Sequence, residues 1–198
     1  MTNKVGLILS GGMDSTCLAW WLKPDMAFTI NYGQLAAEAE IEASGEICRI
    51  LQIEHHIIAI DCKQLGSGDM AGKLADEKAP ATDWWPFRNQ MLITFAAMKA
   101  ISFGIEKLLI GTVKSDSFHK DGTSEFIDAI SNLLSLQEGN ITIEAPAFKF
   151  ETLDLIKLSS IPYEILKLTH SCHKSITPCN NCRGCNKHNE ILNGLGKY

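Results

Sequence analysis

The sequence predicts an α/β protein built on a doubly wound parallel sheet. Short apolar runs of strand length alternate along the chain with longer segments in which apolar residues recur at helical spacing. The first run, Val5–Leu9, contains no polar residue, as expected of a strand that is buried on both faces. Alternation of this kind builds parallel sheets that are covered by helices on both sides.

The elements follow in order from the N-terminus. We predict strands at residues 5–9, 26–30, 55–60, 107–110 and 141–144. We predict helices at residues 15–22, 35–51, 88–103, 125–136 and 152–158. Residues 63–85 contain glycines, a proline and few large apolar side chains, which indicates a long loop of the kind that is commonly functional. The last quarter of the chain is predicted to be irregular and rich in cysteine.

Composition and charge restrict the class of protein. The chain has 198 residues, of which 45% are hydrophobic and 21% are charged, an ordinary balance for a globular protein. The net charge of -5 disfavours nucleic acid as a partner, because phosphate backbones are repelled. No run approaches the roughly 18 apolar residues of a membrane helix, and no signal-peptide pattern is present. We therefore expect a cytoplasmic protein without a membrane partner.

A glycine-rich segment, residues 10–16, joins the first predicted strand to the first predicted helix. Gly11 and Gly12 allow the backbone to approach a ligand closely, and the helix that follows points its unpaired N–H groups at the segment. A phosphate group suits such a cradle. The Gly-Lys-Ser/Thr ending of a Walker A loop is missing, so no lysine within the loop reaches the phosphates. The alternative is an ordinary turn in which Asp14 or Ser15 caps the helix.

Four of the seven cysteines lie close together near the end of the chain. The cysteines are separated by six, two and two residues, and they are Cys172, Cys179, Cys182 and Cys185. Four thiolates at such spacing can complete a tetrahedral structural zinc site. An iron–sulfur cluster is the alternative, but ferredoxin motifs place their fourth cysteine downstream of the other three. The remaining cysteines, at positions 17, 48 and 62, are predicted to be small buried hydrophobes.

The segment Ser10-Gly11-Gly12-Met13-Asp14-Ser15 resembles the signature of the N-type ATP pyrophosphatases, which cleave ATP between the α and β phosphates. Together with the cysteine cluster, it resembles the 7-cyano-7-deazaguanine synthase family. Further matching stretches, in the family's order, are Asn31-Tyr32-Gly33-Gln34, Pro86-Phe87-Arg88-Asn89, Glu125-Phe126, Ala145-Pro146, Thr169-His170-Ser171-Cys172 and Pro178-Cys179. The resemblance extends from residue 5 to residue 186.

The resemblance implies a fold and a reaction. The fold would be of the adenine-nucleotide alpha-hydrolase type, with an ATP pyrophosphatase domain at residues 1–165 and a zinc-binding segment at 166–198 packed on it. The family adenylates 7-carboxy-7-deazaguanine and condenses it with ammonia to the amide. A second adenylation then gives the nitrile, with release of AMP and pyrophosphate. Mg²⁺, one Zn²⁺ per chain and a homodimer would accompany this activity.

The resemblance also implies site residues. Those expected to bind ATP are Leu9, Ser10, Gly11, Gly12, Asp14, Ser15, Thr16, Tyr32 and Gln34. Arg88 and Asp14 are expected to act in catalysis, and the planar guanidinium of Arg88 suits a phosphate or a carboxylate. A cation at the start of a helix is otherwise unfavourable, which supports a functional role for Arg88.

The chain departs from the family pattern in three places. An aspartate is replaced by Asn31 and a lysine by Thr152, and the loop at residues 111–124 departs from the family's pattern within residues 111–113 and at residues 119–123. These departures keep open a divergent relative that stops at the amide or joins the carboxylate to another amine, including one on a protein acceptor. Two more hypotheses are a non-catalytic nucleotide-binding module and a tRNA thiolation enzyme, and the latter would need a catalytic cysteine.

Overall fold

The computed structural model describes residues 4–196 and contains one five-stranded sheet. The strands are β1 (Lys4–Ile8), β2 (Met26–Asn31), β3 (Glu54–Ala59), β4 (Ile105–Ile110) and β5 (Thr142–Glu144). Their order across the sheet is β3-β2-β1-β4-β5, and every neighbouring pair is parallel. The predicted α/β class is confirmed, and each predicted strand is present within one or two residues of its expected bounds.

The helices cover both faces of the sheet. They are α1 (Met13–Leu22), α2 (Ala37–Leu51), α3 (Gly68–Ala71), α4 (Arg88–Ala100), α5 (Ser124–Ser135), α6 (Thr152–Ser159), α7 (Tyr163–Leu166) and α8 (Arg183–Gly194). Strand β1 shows why two layers form: Leu7 packs into the core that contains α1 and α6, and Ile8 into the core that contains α4 and α5. No helix within residues 4–196 is long and apolar enough to span a membrane.

Helix α8 corrects the prediction that the last quarter of the chain is irregular. Polar residues dominate this helix, so it has few apolar side chains to mark it in the sequence. Its start is defined by Cys182, whose sulfur accepts a hydrogen bond from the Cys185 N–H at 3.4 Å. Ile191 anchors the far end of the helix in the core beside α1 and α6. Tertiary packing and the cysteine cap therefore stabilise a helix whose low apolar content does not indicate it in the sequence.

The sheet topology defines where a ligand belongs. The chain runs from β1 outward through β2 to β3, and then crosses back to place β4 on the other side of β1. The strand order thus reverses between β1 and β4. In open parallel sheets, ligands bind beyond the carboxyl ends of the strands at this switch point. The glycine-rich segment follows β1 directly and lies at this position.

Candidate nucleotide site and cysteine cluster

A cavity of about 270 Å³ opens at the carboxyl ends of β1, β2 and β4. Its wall combines residues that are far apart in the sequence: the glycine-rich loop after β1, the end of β2, the start of α4, the segment after β4 and helix α8. The charged side chains of this wall, histidines aside, are Asp14, Glu40, Arg88, Asp116, Asp121 and Lys187. The cavity wall therefore offers both cationic groups and carboxylates to a ligand.

The glycine-rich loop is shaped by two glycines with different roles. Gly11 has a φ of +73°, and a Cβ built there would lie 2.8 Å from the Glu40 carbonyl oxygen. Only glycine fits both the backbone conformation and the close approach of α2. A Cβ on Gly12 would instead meet its nearest atom, Ser10 Oγ, at 3.4 Å, an ordinary contact. Gly11 is therefore required by the fold, whereas Gly12 leaves the cavity side of the helix N-terminus open.

Two serines brace the loop from inside. The Ser15 hydroxyl donates to the Gly12 carbonyl at 3.2 Å and lies 3.2 Å from the Ser10 hydroxyl. The Ser10 N–H in turn donates to the Ser15 oxygen at 3.3 Å. The Leu9 carbonyl at the start of the loop accepts from Thr29 at 2.7 Å. The loop is thus held in shape by its own side chains and by the neighbouring strand.

The predicted nucleotide-binding residues divide into two groups. Those that line the cavity are Leu9, Ser10, Gly12, Asp14, Ser15 and Tyr32. Gly11, Thr16 and Gln34 lie behind them: Thr16 is fully buried, and the Gln34 amide donates to Glu40 at 2.8 Å. Gln34 also accepts from the Tyr32 N–H at 2.9 Å. The site role of all nine residues stays a prediction. Gly11, Thr16 and Gln34 make contacts that support the cavity wall from behind.

Tyr32 and Arg88 form the end of the cavity nearest β2. The Tyr32 ring packs edge-on against Trp85, with ring centroids 4.8 Å apart, and burial raises the pKa of its hydroxyl. Arg88 opens α4, and its guanidinium makes one hydrogen bond, to the Met70 sulfur at 3.2 Å. Within residues 4–196 no carboxylate lies within ion-pair distance of Arg88. Its donors are therefore available to an anionic ligand.

Asp14 lies on the first turn of α1, in contact with a lysine from α8. The Lys187 ammonium donates to Asp14 Oδ2 at 3.0 Å and lies 3.9 Å from Asp116 Oδ1. Burial raises the pKa of Asp14, although Lys187 opposes this shift. Burial alone would lower the pKa of Lys187, but Asp14 and Asp116 outweigh it and raise that pKa. The 3.0 Å contact between the ammonium and the carboxylate is the geometry of a hydrogen-bonded ion pair.

The four cysteines of the C-terminal segment converge on one point. Their sulfur atoms all lie within 4.8 Å of one another, and Cys179 Sγ lies 3.9 Å from Cys185 Sγ. A tetrahedral ion with metal–sulfur distances of about 2.3 Å separates its ligands by about 3.8 Å. A backbone N–H from Asn181 lowers the pKa of Cys179 to about 6, which favours a thiolate. The cluster can therefore hold a metal ion.

The other three cysteines are confirmed as buried residues. Cys17, Cys48 and Cys62 are 0%, 2% and 9% exposed. Burial raises the pKa of Cys17 and of Cys48 to about 12, so neither thiol ionises at neutral pH. A sulfur-transfer reaction needs an ionised thiol. This finding gives no support to the tRNA thiolation alternative.

Lys187 is the main wall residue that sequence reasoning missed, together with Glu40 and Asp116. Lys187 follows the last cysteine by two residues and lies 173 residues from its partner Asp14. Nothing in its local sequence indicates that it faces the glycine-rich loop. Glu40 belongs to a helix and Asp116 to a loop that also contributes Asp121 to the cavity wall, and no sequence spacing singles these residues out.

The fold and the site define a class: doubly wound α/β proteins that have a glycine-rich loop at the switch point and a four-cysteine cluster suited to a metal ion. The family model described as "Queuosine biosynthesis protein QueC" matches residues 4–196, and the chain belongs to that family.

Curated relatives agree with this family. The 7-cyano-7-deazaguanine synthase of Methanocaldococcus jannaschii is 32% identical, over 92% of this chain and 91% of the relative. The enzyme of the same name from Nautilia profundicola is also 32% identical, over 92% of this chain and 90% of the relative. Among solved structures, the NMN synthetase of Francisella tularensis has a TM-score of 0.47 and 16% identity, with 97% of this chain and 77% of that chain covered.

Proposed function

We propose that the protein is an AMP-forming carbon–nitrogen ligase that converts 7-carboxy-7-deazaguanine into 7-cyano-7-deazaguanine with ATP and ammonia. One observation carries the proposal beyond family membership. A helix N-terminus with an open glycine, Gly12, and an arginine without a carboxylate partner, Arg88, face the same cavity. The cavity thus offers two separate anion sites, as required for a nucleotide and a carboxylate.

The reaction begins when a carboxylate oxygen of the substrate attacks the α phosphorus of ATP. Pyrophosphate leaves with the electron pair of the broken P–O bond, and the loop at residues 10–16 holds it through backbone N–H groups at the start of α1. Ammonia then attacks the carbonyl carbon of the acyl adenylate, loses a proton and expels AMP, which gives the amide. The amide oxygen then attacks the α phosphorus of a second ATP, and pyrophosphate and one N–H proton leave. Loss of AMP and of the remaining N–H proton gives the nitrile.

Arg88 would hold the substrate carboxylate or a phosphate oxygen in line for attack, since its planar fork accepts two oxygens. Asp14 and Asp116 offer the carboxylate oxygens that Mg²⁺ prefers, and such an ion would neutralise charge on the nucleotide. The protein's contribution is positioning and charge stabilisation, because no ionised nucleophile is placed at the loop. The nine nucleotide residues named from the resemblance belong to this proposal.

The C-terminal segment, from residue 166 onward, would bind one Zn²⁺ through Cys172, Cys179, Cys182 and Cys185. The four sulfurs fit a closed tetrahedral site, which leaves no open position for substrate. The ion would therefore act on structure. Zinc content measured by plasma mass spectrometry of purified protein tests this: one zinc per chain is expected, and iron with labile sulfide would favour the iron–sulfur alternative.

A second candidate function rests on the segment after β4. Asp116, His119 and Asp121 come from the loop that departs from the family pattern, and all three line the cavity. A different acceptor would be selected there, so a divergent ligase that stops at the amide or uses another amine remains a defined alternative. By contrast, Asn31 lies in a turn, where its side chain accepts from the Gly33 N–H at 3.1 Å, as an aspartate would.

Mass spectrometry of the products separates these functions. The protein is incubated with ATP, Mg²⁺, 7-carboxy-7-deazaguanine and ¹⁵N-ammonium, with a reaction lacking ATP as control. The nitrile with one ¹⁵N, together with AMP, is the expected result. AMP with the amide as the final product would favour the divergent ligase. An absence of AMP under all these conditions would contradict the proposal and favour the non-catalytic nucleotide-binding module.

A further inference from the structure

Helix α8 brings a lysine into the loop that lacks one of its own. Lys187 is on the second turn of α8, yet its ammonium lies 3.0 Å from Asp14 Oδ2, on the first turn of α1. Its side chain is 38% exposed, and it lines the cavity. The glycine-rich loop itself contains no lysine or arginine. Tertiary structure thus supplies a cation at a helix N-terminus that the local sequence does not provide.

The ammonium retains donors for a ligand. An ammonium group has three N–H donors. Asp14 accepts one of them, whereas Asp116, at 3.9 Å, is beyond hydrogen-bond distance. Two donors of Lys187 therefore remain free of carboxylate hydrogen bonds beside the N–H groups that begin α1. A phosphate oxygen seated on that helix N-terminus would be within reach of the flexible lysine stem.

The charge balance of the cavity gives this lysine a large role. Four carboxylates line the wall, at Asp14, Glu40, Asp116 and Asp121, and within residues 4–196 the lysines and arginines that line it are Arg88 and Lys187. Arg88 makes its hydrogen bond to the Met70 sulfur, whereas Lys187 is hydrogen-bonded to Asp14 on the first turn of α1. Without Lys187, Arg88 would be the one lysine or arginine left beside four carboxylates on the described part of this wall. Lys187 therefore supplies positive charge that an anion bound at the loop needs beside these carboxylates.

We propose that Lys187 is a phosphate-positioning residue of the nucleotide site, and that it holds the pyrophosphate half of the nucleotide against the start of α1. The proposal rests on the proposed function, because it assigns a ligand to the same loop. It also gives the cysteine segment a purpose in the site. Cys182 caps α8 and Cys185 lies in its first turn, so the cluster determines the position of the helix start from which Lys187 extends.

Binding of Mg²⁺-pyrophosphate, measured by isothermal titration calorimetry, tests the proposal directly. Lys187→Met should weaken binding by about 10- to 100-fold, since hydrogen bonds to charged groups have this magnitude. Lys187→Arg should retain most of the affinity, because it keeps the charge. Lys157→Met, on the exposed side of α6, is the matched control and should bind like the wild type.

A rescue variant separates ligand binding from folding. The buried Thr152 side chain is close enough to Asp14 to affect its pKa, so a lysine at position 152 can reach the same place from α6. Thr152→Lys combined with Lys187→Met should recover pyrophosphate affinity. This double variant tests the proposal even if Lys187→Met alone does not fold. A folded, metal-loaded double variant that remains as weak as the single variant would overturn the proposal.

Three other results are decisive. Wild-type affinity in Lys187→Met would overturn the role of the lysine while leaving the proposed function intact. Equal losses in Lys187→Met and Lys187→Arg, together with reduced metal content in both, would show a structural role and overturn the proposal as well. If the wild-type protein binds neither pyrophosphate nor ATP, the proposed function itself fails, and Lys187 has no phosphate to position.

Discussion

The glycine-rich loop and the cysteine segment meet in one cavity but reach their structures by different means. The loop is built into the main sheet: Gly11 fits against α2, and Thr29 of β2 holds the Leu9 carbonyl. The cysteine segment has a separate buried cluster that consists of cysteines alone. Its attachment to residues 63–85 is polar, through an ion pair between Lys174 and Asp69 at 3.1 Å. The loop therefore depends on packing in the main core, whereas the segment combines its cysteines with the contact of Ile191 in that core.

This comparison has a functional consequence. The backbone N–H of His170 donates to the Gly11 carbonyl at 2.9 Å, and the Lys187 ammonium donates to the Asp14 carboxylate. The segment that contains the four clustered cysteines is thus hydrogen-bonded at two points to the glycine-rich loop. Substitution of a clustered cysteine should therefore also weaken ligand binding at the loop. Substitution within the loop should leave metal binding by the cysteines unchanged. Four predictions test this asymmetry.

The largest effect is expected for Cys182→Ser. The change removes a metal ligand and the sulfur that caps α8. Metal affinity should therefore fall by more than about 100-fold, which exceeds the loss expected when a residue that only contacts a ligand is changed. Metal content, protease sensitivity after residue 166 and pyrophosphate affinity should change together. Cys62→Ser is the control, because Cys62 is buried outside the cluster. A metal-free Cys182→Ser protein with wild-type stability would contradict the structural role.

Gly12→Ala should affect the ligand and spare the fold. The new methyl group has room among the protein atoms but covers the start of α1, where a phosphate would approach. We expect a melting temperature near that of the wild type, unchanged metal content and a loss of ATP turnover of at least about tenfold, equivalent to about 1.4 kcal/mol. Turnover at the wild-type rate would mean that no phosphate binds at this helix end.

Gly11→Ala should affect the fold first. The left-handed backbone costs about 1–2 kcal/mol for a residue with a Cβ, and contact with the Glu40 carbonyl adds to this cost. Chemical denaturation measures the loss of unfolding free energy. Gly104→Ala is the matched control, since Gly104 has a similar φ of +68° and a Cβ there would meet no atom within 4 Å. A smaller loss at Gly11 than at Gly104 would contradict the close approach of α2.

The smallest effect is expected from the pH dependence of His55, which supports the loop from behind. Its Nε2 lies 2.8 Å from the Thr29 hydroxyl, and burial lowers its pKa. The unfolded chain therefore binds a proton at a higher pH than the folded protein does, and stability falls as the pH drops below the ordinary histidine range of about 6.5. His55→Gln should flatten this part of the stability–pH curve. An unchanged curve would contradict a buried neutral histidine.

Much of this molecule follows from the sequence alone. The apolar run of β1 and the alternation after it predict the sheet, because buried parallel strands must be apolar on both faces. The adjacent glycines and the spacing of the cysteines mark the loop and the cluster, because both depend on residues that are neighbours in the chain. The family was also indicated by the order of short motifs, and the match over residues 4–196 confirms it.

Only the tertiary structure decided which side chains face the cavity. It separated Gly12, on the wall, from Thr16, which is buried behind it, although both belong to one motif. It also formed α8 from a polar segment and brought Lys187 to Asp14 across 173 residues. The physical reason is that periodicity and motif spacing report local geometry, whereas a contact between distant elements depends on how whole helices pack on the sheet.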